Sequence, residues 1–266
     1  MRIDDLDYDL PGELIAQAPL GERDASRLLV LRAGAEVVRH HAFREIPSLL
    51  PDGAIVVVND SRVFPARIAC RKPTGGRSEV LLVRRLGGRG VRERWLAIVG
   101  SGGRVREGLR LETPSLSMEV AGRDCGPGGG GEPIFAVEIE ARGGTVSEAV
   151  AREGSVPLPP YIRRPPCLED EARYQTVYAD EEGSAAAPTA GLHFTPALLG
   201  LLAAADHPVL GITLHVGPGT FRPVRTARLE DHVMHEEWAR IPAPTASAIE
   251  AGKREGRSVV AVGTTV

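Results

Sequence analysis

Three histidine-bearing stretches carry residue types that can move protons. His193 lies in Pro188-Thr-Ala-Gly-Leu-His-Phe-Thr195. Gly191 lets the backbone approach a ligand closely, and a helix opening at Pro196 would offer its positive end to a carboxylate. An imidazole there can serve as acid, base or ligand contact, or can buttress the helix cap. His215 ends an apolar run and precedes Gly217-Pro-Gly219, whose glycines allow backbone amides near a ligand. With no third glycine and no opening helix this is no dinucleotide fingerprint, and a tight turn fits it equally. His232, His235 and Glu237 have H-x-x-H-x-E spacing but lack the helical arrangement that places two imidazoles around zinc, so no metal is expected; acid/base work or an RNA contact is more plausible than zinc, while on spacing alone a solvated polar loop accounts for them better. Asp60 and Glu237 are the candidate carboxylate bases, since a dry pocket would raise either pKa.

Two further groups suit recognition. Asn59, Asp60, Arg62 and Arg67 combine amide, carboxylate and guanidinium groups fit for ribose hydroxyls, a purine edge or phosphate; the competing account is a structural Asp60 to Arg67 pair. Tyr161 with Arg163 and Arg164 places an aromatic beside cations, a pairing that stacks and neutralises single-stranded RNA, although a semi-rigid proline linker also explains it.

These residues need a scaffold. Arg27-Leu-Leu-Val-Leu-Arg32 and Glu36-Val-Val-Arg-His40 read as two strands about a turn, and Ala54-Ile-Val-Val-Val-Asn59 as a buried strand with polar groups at its end. Short strand-like runs at 79–83, 95–99, 117–120 and 134–139 alternate with glycine-rich turns, and Gly126-Pro-Gly-Gly-Gly-Gly131 reads as a hairpin tip. Helices are expected at 146–153, 169–178, 197–205 and 245–255. Strands are expected at 209–216, 237–241 and, buried, at 259–263. The whole reads as an α/β core domain, residues 1–62 and 152–266, with an inserted small antiparallel β-barrel-like domain, residues 63–151.

Composition bounds the rest. The acidic start, without a basic region leading into an apolar stretch, and the lack of a long apolar run point to a cytoplasmic chain with no membrane partner. No obligate protein partner is evident. Cys70, Cys125 and Cys167 are odd in number and far apart, so reduced thiols are expected. Net charge is −3, yet the stretch 62–110 holds 13 basic residues against three acids, which suggests a polyanion-binding face. Arginine usage is high throughout, with 30 Arg and two Lys, and contributes to that excess.

Six ordered blocks resemble the S-adenosylmethionine:tRNA ribosyltransferase-isomerases of queuosine biosynthesis: Val58-Asn-Asp-Ser-Arg-Val-Phe-Pro-Ala-Arg67, Pro157-Leu-Pro-Pro-Tyr-Ile162, Tyr174-Gln-Thr-Val-Tyr178, Ala187-Pro-Thr-Ala-Gly-Leu-His-Phe-Thr195, Ile212-Thr-Leu-His-Val-Gly-Pro-Gly-Thr-Phe221 and His232-Val-Met-His-Glu-Glu-Trp238. The resemblance implies S-adenosylmethionine as a ribosyl-donating co-substrate and a tRNA bearing 7-aminomethyl-7-deazaguanine as acceptor, with adenine and methionine released and epoxyqueuosine formed. It implies catalytic roles among His193, His215, His235, Glu237 and Asp60, and substrate contacts from Asn59, Arg62, Arg67, Thr189, Gly191, Phe194, Gly217, Gly219, Thr220 and Phe221. Tyr161, Arg163 and Arg164 would meet tRNA. The alternative is a non-catalytic RNA-binding module; methyl transfer ranks last, because no glycine-rich strand-turn-helix opening is present. The resembled family continues beyond Val266, so truncation and an unfinished sheet edge are expected.

Overall fold

The computed structural model describes residues 1–34, 37–124, 133–217, 219, 224, 226–232 and 236–266. Short 3-10 turns precede an antiparallel pair, β1 (Arg27–Val30) and β2 (Arg39–Ala42), whose second strand starts later than the expected 36–40. A one-turn helix α1 (Ile46–Leu49) leads into β3 (Ile55–Asn59) and β4 (Ser61–Val63). Next come β5 (Arg67–Arg71), β6 (Arg77–Arg89), β7 (Arg92–Ser101), β8 (Arg110–Glu112), β9 (Leu116–Asp124) and β10 (Ile134–Ala141). Helix α2 (Val146–Glu153), β11 (Gly154–Ser155), α3 (Leu168–Arg173) and β12 (Glu181–Ser184) follow. The chain then builds α4 (Pro196–Ala204), β13 (Val209–Leu214), β14 (Ala239–Arg240), α5 (Ala243–Arg254) and β15 (Val259–Ala261).

β3 is buried along its whole length because it is central: β13 and β15 pair with it in parallel on either side, and β14 adds to the far edge of β13. A strand covered on both faces needs apolar side chains at successive positions, and Ile55-Val-Val-Val58 supplies them. On one face Ile55, Val57 and Ile212 pack with Ile249 of α5. Gly252 permits this approach, since a Cβ there would stand 2.2 Å from Ile55 Cδ1. Val209 on β13 packs into the cluster of Phe43, Phe194, Leu198 and Leu202 that α4 helps to form. Thr195 caps α4 by accepting from the Leu198 amide at 3.1 Å, with Pro196 at the first helical position, as the sequence indicates. β15, expected as a buried strand, is half-exposed, with Val259 at 42%. It pairs only with β3 and lies at the edge of the sheet.

The second large sheet has seven antiparallel strands in the order β11-β5-β6-β7-β10-β9-β8, and β5 also meets β8 at Arg71 and Glu112. Alternating burial along β6 and β10 directs Val80, Leu82, Val137 and Ile139 into one core, which Val146, Ala149 and Val150 of α2 cover. The strands run longer than the apolar cores read from sequence, because β6 and β7 continue through polar, exposed pairs to their turn. The expected Gly126–Gly131 hairpin tip lies outside the described residues. A small parallel pair, β4 with β12, joins the two sheet systems in sequence.

The helix expected over 169–178 ends at Arg173. Tyr174 turns inward to the cluster of Val63, Val156 and Ala187, and the Gln175 amide bonds to both the N–H (3.0 Å) and C=O (3.1 Å) of Val63. The start of α3 is fixed by buried Asp170, which accepts from Arg164 at 2.6 and 2.7 Å and from the Cys167 amide at 2.8 Å. Arg164 foremost, opposed by burial, holds the Asp170 carboxyl well below its ordinary 3.8. The stabilisation from this ionised pair is therefore complete above about pH 4 and is lost as pH falls toward the depressed folded-state value. Asp170→Asn should cost about 3 kcal/mol in urea unfolding at pH 7, since it strands the Arg164 charge, and the gap from wild type should narrow on acidification below pH 4.

Candidate active site

The carboxyl ends of β3 and β13 are tied by one amide. Asn59, wholly buried, donates to Leu214 O at 2.9 Å and accepts from the amides of Ser61 (3.0 Å) and Leu214 (3.1 Å). Its carboxamide, expected to read a ligand, is thus engaged by the backbone. Asp60 follows, its amide donating to Ile212 O at 2.8 Å. Its carboxylate accepts from Thr213 Oγ1 at 2.7 Å and not from Arg67, which binds Glu79 at 2.9 Å, so the structural Asp60 to Arg67 pair does not form. Arg62 donates to the carbonyls of Ala179 (2.7 Å) and Asp180 (3.3 Å). Beside them Ser184 donates to Ser61 Oγ at 2.8 Å and accepts from the Val216 amide at 2.9 Å, tying β4 and β12 to the end of β13.

His215 occupies this corner. Its ring lies 4.7 Å from that of Trp238, tilted by 38°, and its amide donates to Trp238 O at 2.9 Å. Gly183 makes room, because a Cβ there would stand 2.3 Å from His215 Cε1. The imidazole Nε2 is buried and has no hydrogen-bond partner. Burial lowers its pKa from 6.5; Glu181 and Asp60 oppose the shift, and Arg240 adds to it. Arg240 in turn bonds Glu181 and lies 6.0 Å over the Trp238 ring. Glu237 is exposed, not enclosed in a dry pocket, and accepts from the Gly217 amide at 2.7 Å, so that amide meets a carboxylate of its own chain. Gly219 is partly exposed. Thr220, Phe221 and His235 lie outside the described residues.

The 188–194 block forms a 3-10 turn, Thr189–His193, beside the end of β15, where a Cβ on Gly263 would be 3.2 Å from Ala190 Cβ. Gly191 serves a different purpose from the one expected: a Cβ would stand 2.1 Å from the Tyr178 hydroxyl and 2.9 Å from Thr176 Cγ2, so its smallness admits the chain's own side chains. Phe194, 1% exposed, is core, edge-on to Phe43 at 5.1 Å, while Thr189 is exposed. The start of α4, expected to face a ligand carboxylate, carries its own Thr195 cap with Asp24 at 3.4 Å from that hydroxyl. The hydroxyls of Tyr174, Thr176 and Tyr178 are buried without partners here, and burial raises both tyrosines. They belong to a block that the sequence flagged without assigning residues.

His193 rests on Phe43 at 5.1 Å. Arg23 holds its loop, donating to Leu192 O at 2.9 Å and Ala172 O at 2.6 Å, while Arg173 reciprocates to Gly21 O (2.9 Å) and Leu20 O (2.7 Å). Sequence reasoning missed Arg23; the signal was a charged cluster, Glu22-Arg-Asp24, set just before the first strand. Burial lowers the His193 pKa from 6.5, the Arg23 backbone opposes this, and the Arg23 guanidinium lowers it further. The ring is therefore neutral at pH 7. Its protonation disfavours the fold, so the stability it confers falls as pH drops below 6.5.

The basic stretch is less charged in space than in sequence. Arg67, Arg85, Arg92, Arg94 and Arg110 face Glu79, Glu93, Glu140, Glu138 and Glu119 at 2.9, 3.6, 3.0, 3.3 and 3.0 Å. Three of those carboxylates come from β9 and β10, beyond the stretch. Arg164 is bound to Asp170, and Gln17 bonds both Tyr161 O (3.0 Å) and the Arg163 amide (2.7 Å), so this proline crossing is anchored to the N-terminal segment. Tyr161 and Arg163 remain exposed. Among the described residues no three His, Cys, Asp or Glu gather as a metal site, and no helix is long and apolar enough to cross a membrane.

His215 and Asp60 thus lie at the carboxyl ends of the parallel strands β3 and β13, the end of an open α/β sheet at which ligands commonly bind. The sequence matches the family described as "Queuosine biosynthesis protein" over residues 3–266. Proteins named S-adenosylmethionine:tRNA ribosyltransferase-isomerase from Anaeromyxobacter sp. (strain Fw109-5) and Geobacter metallireducens are 48% and 46% identical over 266 residues; these cover 100% of this chain and 74% and 75% of theirs. The crystal structure of an S-adenosylmethionine tRNA ribosyltransferase from Thermotoga maritima, 28% identical, covers 96% of this chain and 68% of its own, with a TM-score of 0.40. The chain belongs to the queuosine biosynthesis protein family.

Replacing Arg23 by Met removes the nearby positive charge, so the His193 imidazole should titrate closer to 6.5 in an NMR pH series. An unchanged midpoint would show that the charge does not reach the ring.

Proposed function

We propose that the chain transfers and isomerises the ribosyl group of S-adenosylmethionine onto 7-aminomethyl-7-deazaguanine in tRNA, releasing adenine and methionine. Membership of the family and the names of its relatives support this over a module that only binds RNA. The observation in the site that carries it is His215: a neutral imidazole, half-buried, with an unpartnered Nε2, next to Asp60 where β3 and β13 part.

The reaction needs such a group. A sulfonium acidifies its neighbouring 5′ carbon, so a positioned base can take a proton there, and an acid can assist departure of adenine. A base must be unprotonated, and burial keeps His215 so at neutral pH. His193, also neutral, is the second proton-handling candidate. Asp60 and Arg240 lie on either side of the His215 charge balance, and Glu237 and Gly217 would border the ligand. Exposed Thr189, Tyr161 and Arg163 would then meet substrate or tRNA. In this reading residues 63–151 form an inserted barrel-like domain, closed where β5 meets β8, on a core of residues 1–62 and 152–266, in a cytoplasmic protein.

Incubation with S-adenosylmethionine and tRNA bearing the aminomethyl base should release adenine; none at any enzyme concentration sinks the enzyme reading. His215→Ala should lower kcat by about 100-fold or more with the circular dichroism spectrum unchanged, and His193→Ala should do likewise. Wild-type kcat/KM should hold at pH 7 and decline on the acid side below 6.5, where His215 gains its proton.

A further inference from the structure

We infer that the end of the seven-stranded sheet carrying the β5–β6 turn and the exit from β7 is a docking surface for the phosphate backbone of RNA, remote in sequence from the His193 and His215 blocks. This rests on the reading of the chain as a tRNA-modifying enzyme. The strand registers assemble the surface. Arg71 stands opposite Arg77 across the β5–β6 turn, Ser78 opposite Ser101 at the end of β7, and Arg123 opposite Phe135 near the close of β9. Cations far apart in the chain, Arg71, Lys72, Arg77, Arg104, Arg106 and Arg123, are thereby brought to one end.

Charge pairing is denser at the other end of the sheet, although among the described residues Arg84 and Arg89 there are exposed without a carboxylate partner. Toward the β6–β7 turn, Glu93, Glu138 and Glu140 answer Arg85, Arg94 and Arg92. At the opposite end Arg77, Arg104 and Arg106 are exposed and, among the described residues, face no carboxylate. At Arg104 and Arg106 opens a cleft of about 580 Å³, lined also by Ser101 and Arg123 together with Val99 and Phe135, with Glu107 the one acid in its lining. The Ser101 hydroxyl is buried in this cleft without a hydrogen-bond partner. A hydroxyl donor ringed by guanidinium groups matches phosphate oxygens, which accept bidentate bonds from arginine. Several such cations on separate loops suit a repeating anion better than a single one.

The test compares the full wild-type chain with Arg104→Ala/Arg106→Ala and with Arg92→Ala/Glu140→Ala, which deletes a neutralised pair near the other end. An in vitro tRNA transcript is titrated with each protein by fluorescence anisotropy over a salt series. The first variant should bind about tenfold more weakly, with a slope of log K against log salt shallower by about 2, while the second matches wild type. Wild-type affinity and slope in the first variant would overturn the surface, as would an equal loss in the second. An acidic peptide that displaces the transcript at equal phosphate or carboxylate concentration would also overturn the choice of RNA. Adenine release is assayed separately with tRNA bearing the aminomethyl base. Its absence in wild type removes the enzyme reading, whereas a weakened first variant still supports the surface.

Discussion

The site depends on one buried carboxamide. β3 and β13 stay in register through Asn59 and Ile212, and beyond that pair the Asn59 carboxamide continues the bonding by holding the backbone of Leu214. Its oxygen and nitrogen satisfy Leu214 on one side and Ser61 on the other, so the backbone can diverge without burying unpaired polar groups, each of which would cost about 1–3 kcal/mol. Asp60 follows with its carboxylate against Thr213 of β13, β4 departs to pair with β12, and Leu214 hands the chain on to His215. A leucine at 59 would satisfy the apolar pattern of β3 and lose all three of these bonds.

Much of this was legible in the residues. The unbroken run Ile55-Val-Val-Val58 could only be a strand covered on both faces, and Thr195-Pro196 announced the start of α4. The blocks that name the family are local strings, and a local string survives any fold. What the sequence hid was partnership. Asn59 and Arg164 look like free recognition groups until their backbone and carboxylate partners, separated from them along the chain, are brought alongside. Gly191 looks like an opening for a ligand until Tyr178 fills it.

Charge shows the same limit more sharply. A count along residues 62–110 treats each arginine as free, but an antiparallel sheet sets strands from different parts of the chain side by side, and Glu119, Glu138 and Glu140 arrive from β9 and β10. Linear excess overstates a field wherever cross-strand pairing is dense, and it locates the field only where strands end. The glycines at 183 and 252 carry the opposite lesson: each is needed for what approaches it, and neither stands in a motif that announces this.

The reciprocal grip of Arg23 and Arg173 joins segments about 150 residues apart, and the Arg23 bond to Leu192 spans 169. Contacts of such separation close large loops, as do the pairings of β13 and β15 with β3. The turn bearing His193 thus takes its final shape only once the amino-terminal segment, more than a hundred residues earlier, has come to rest against it.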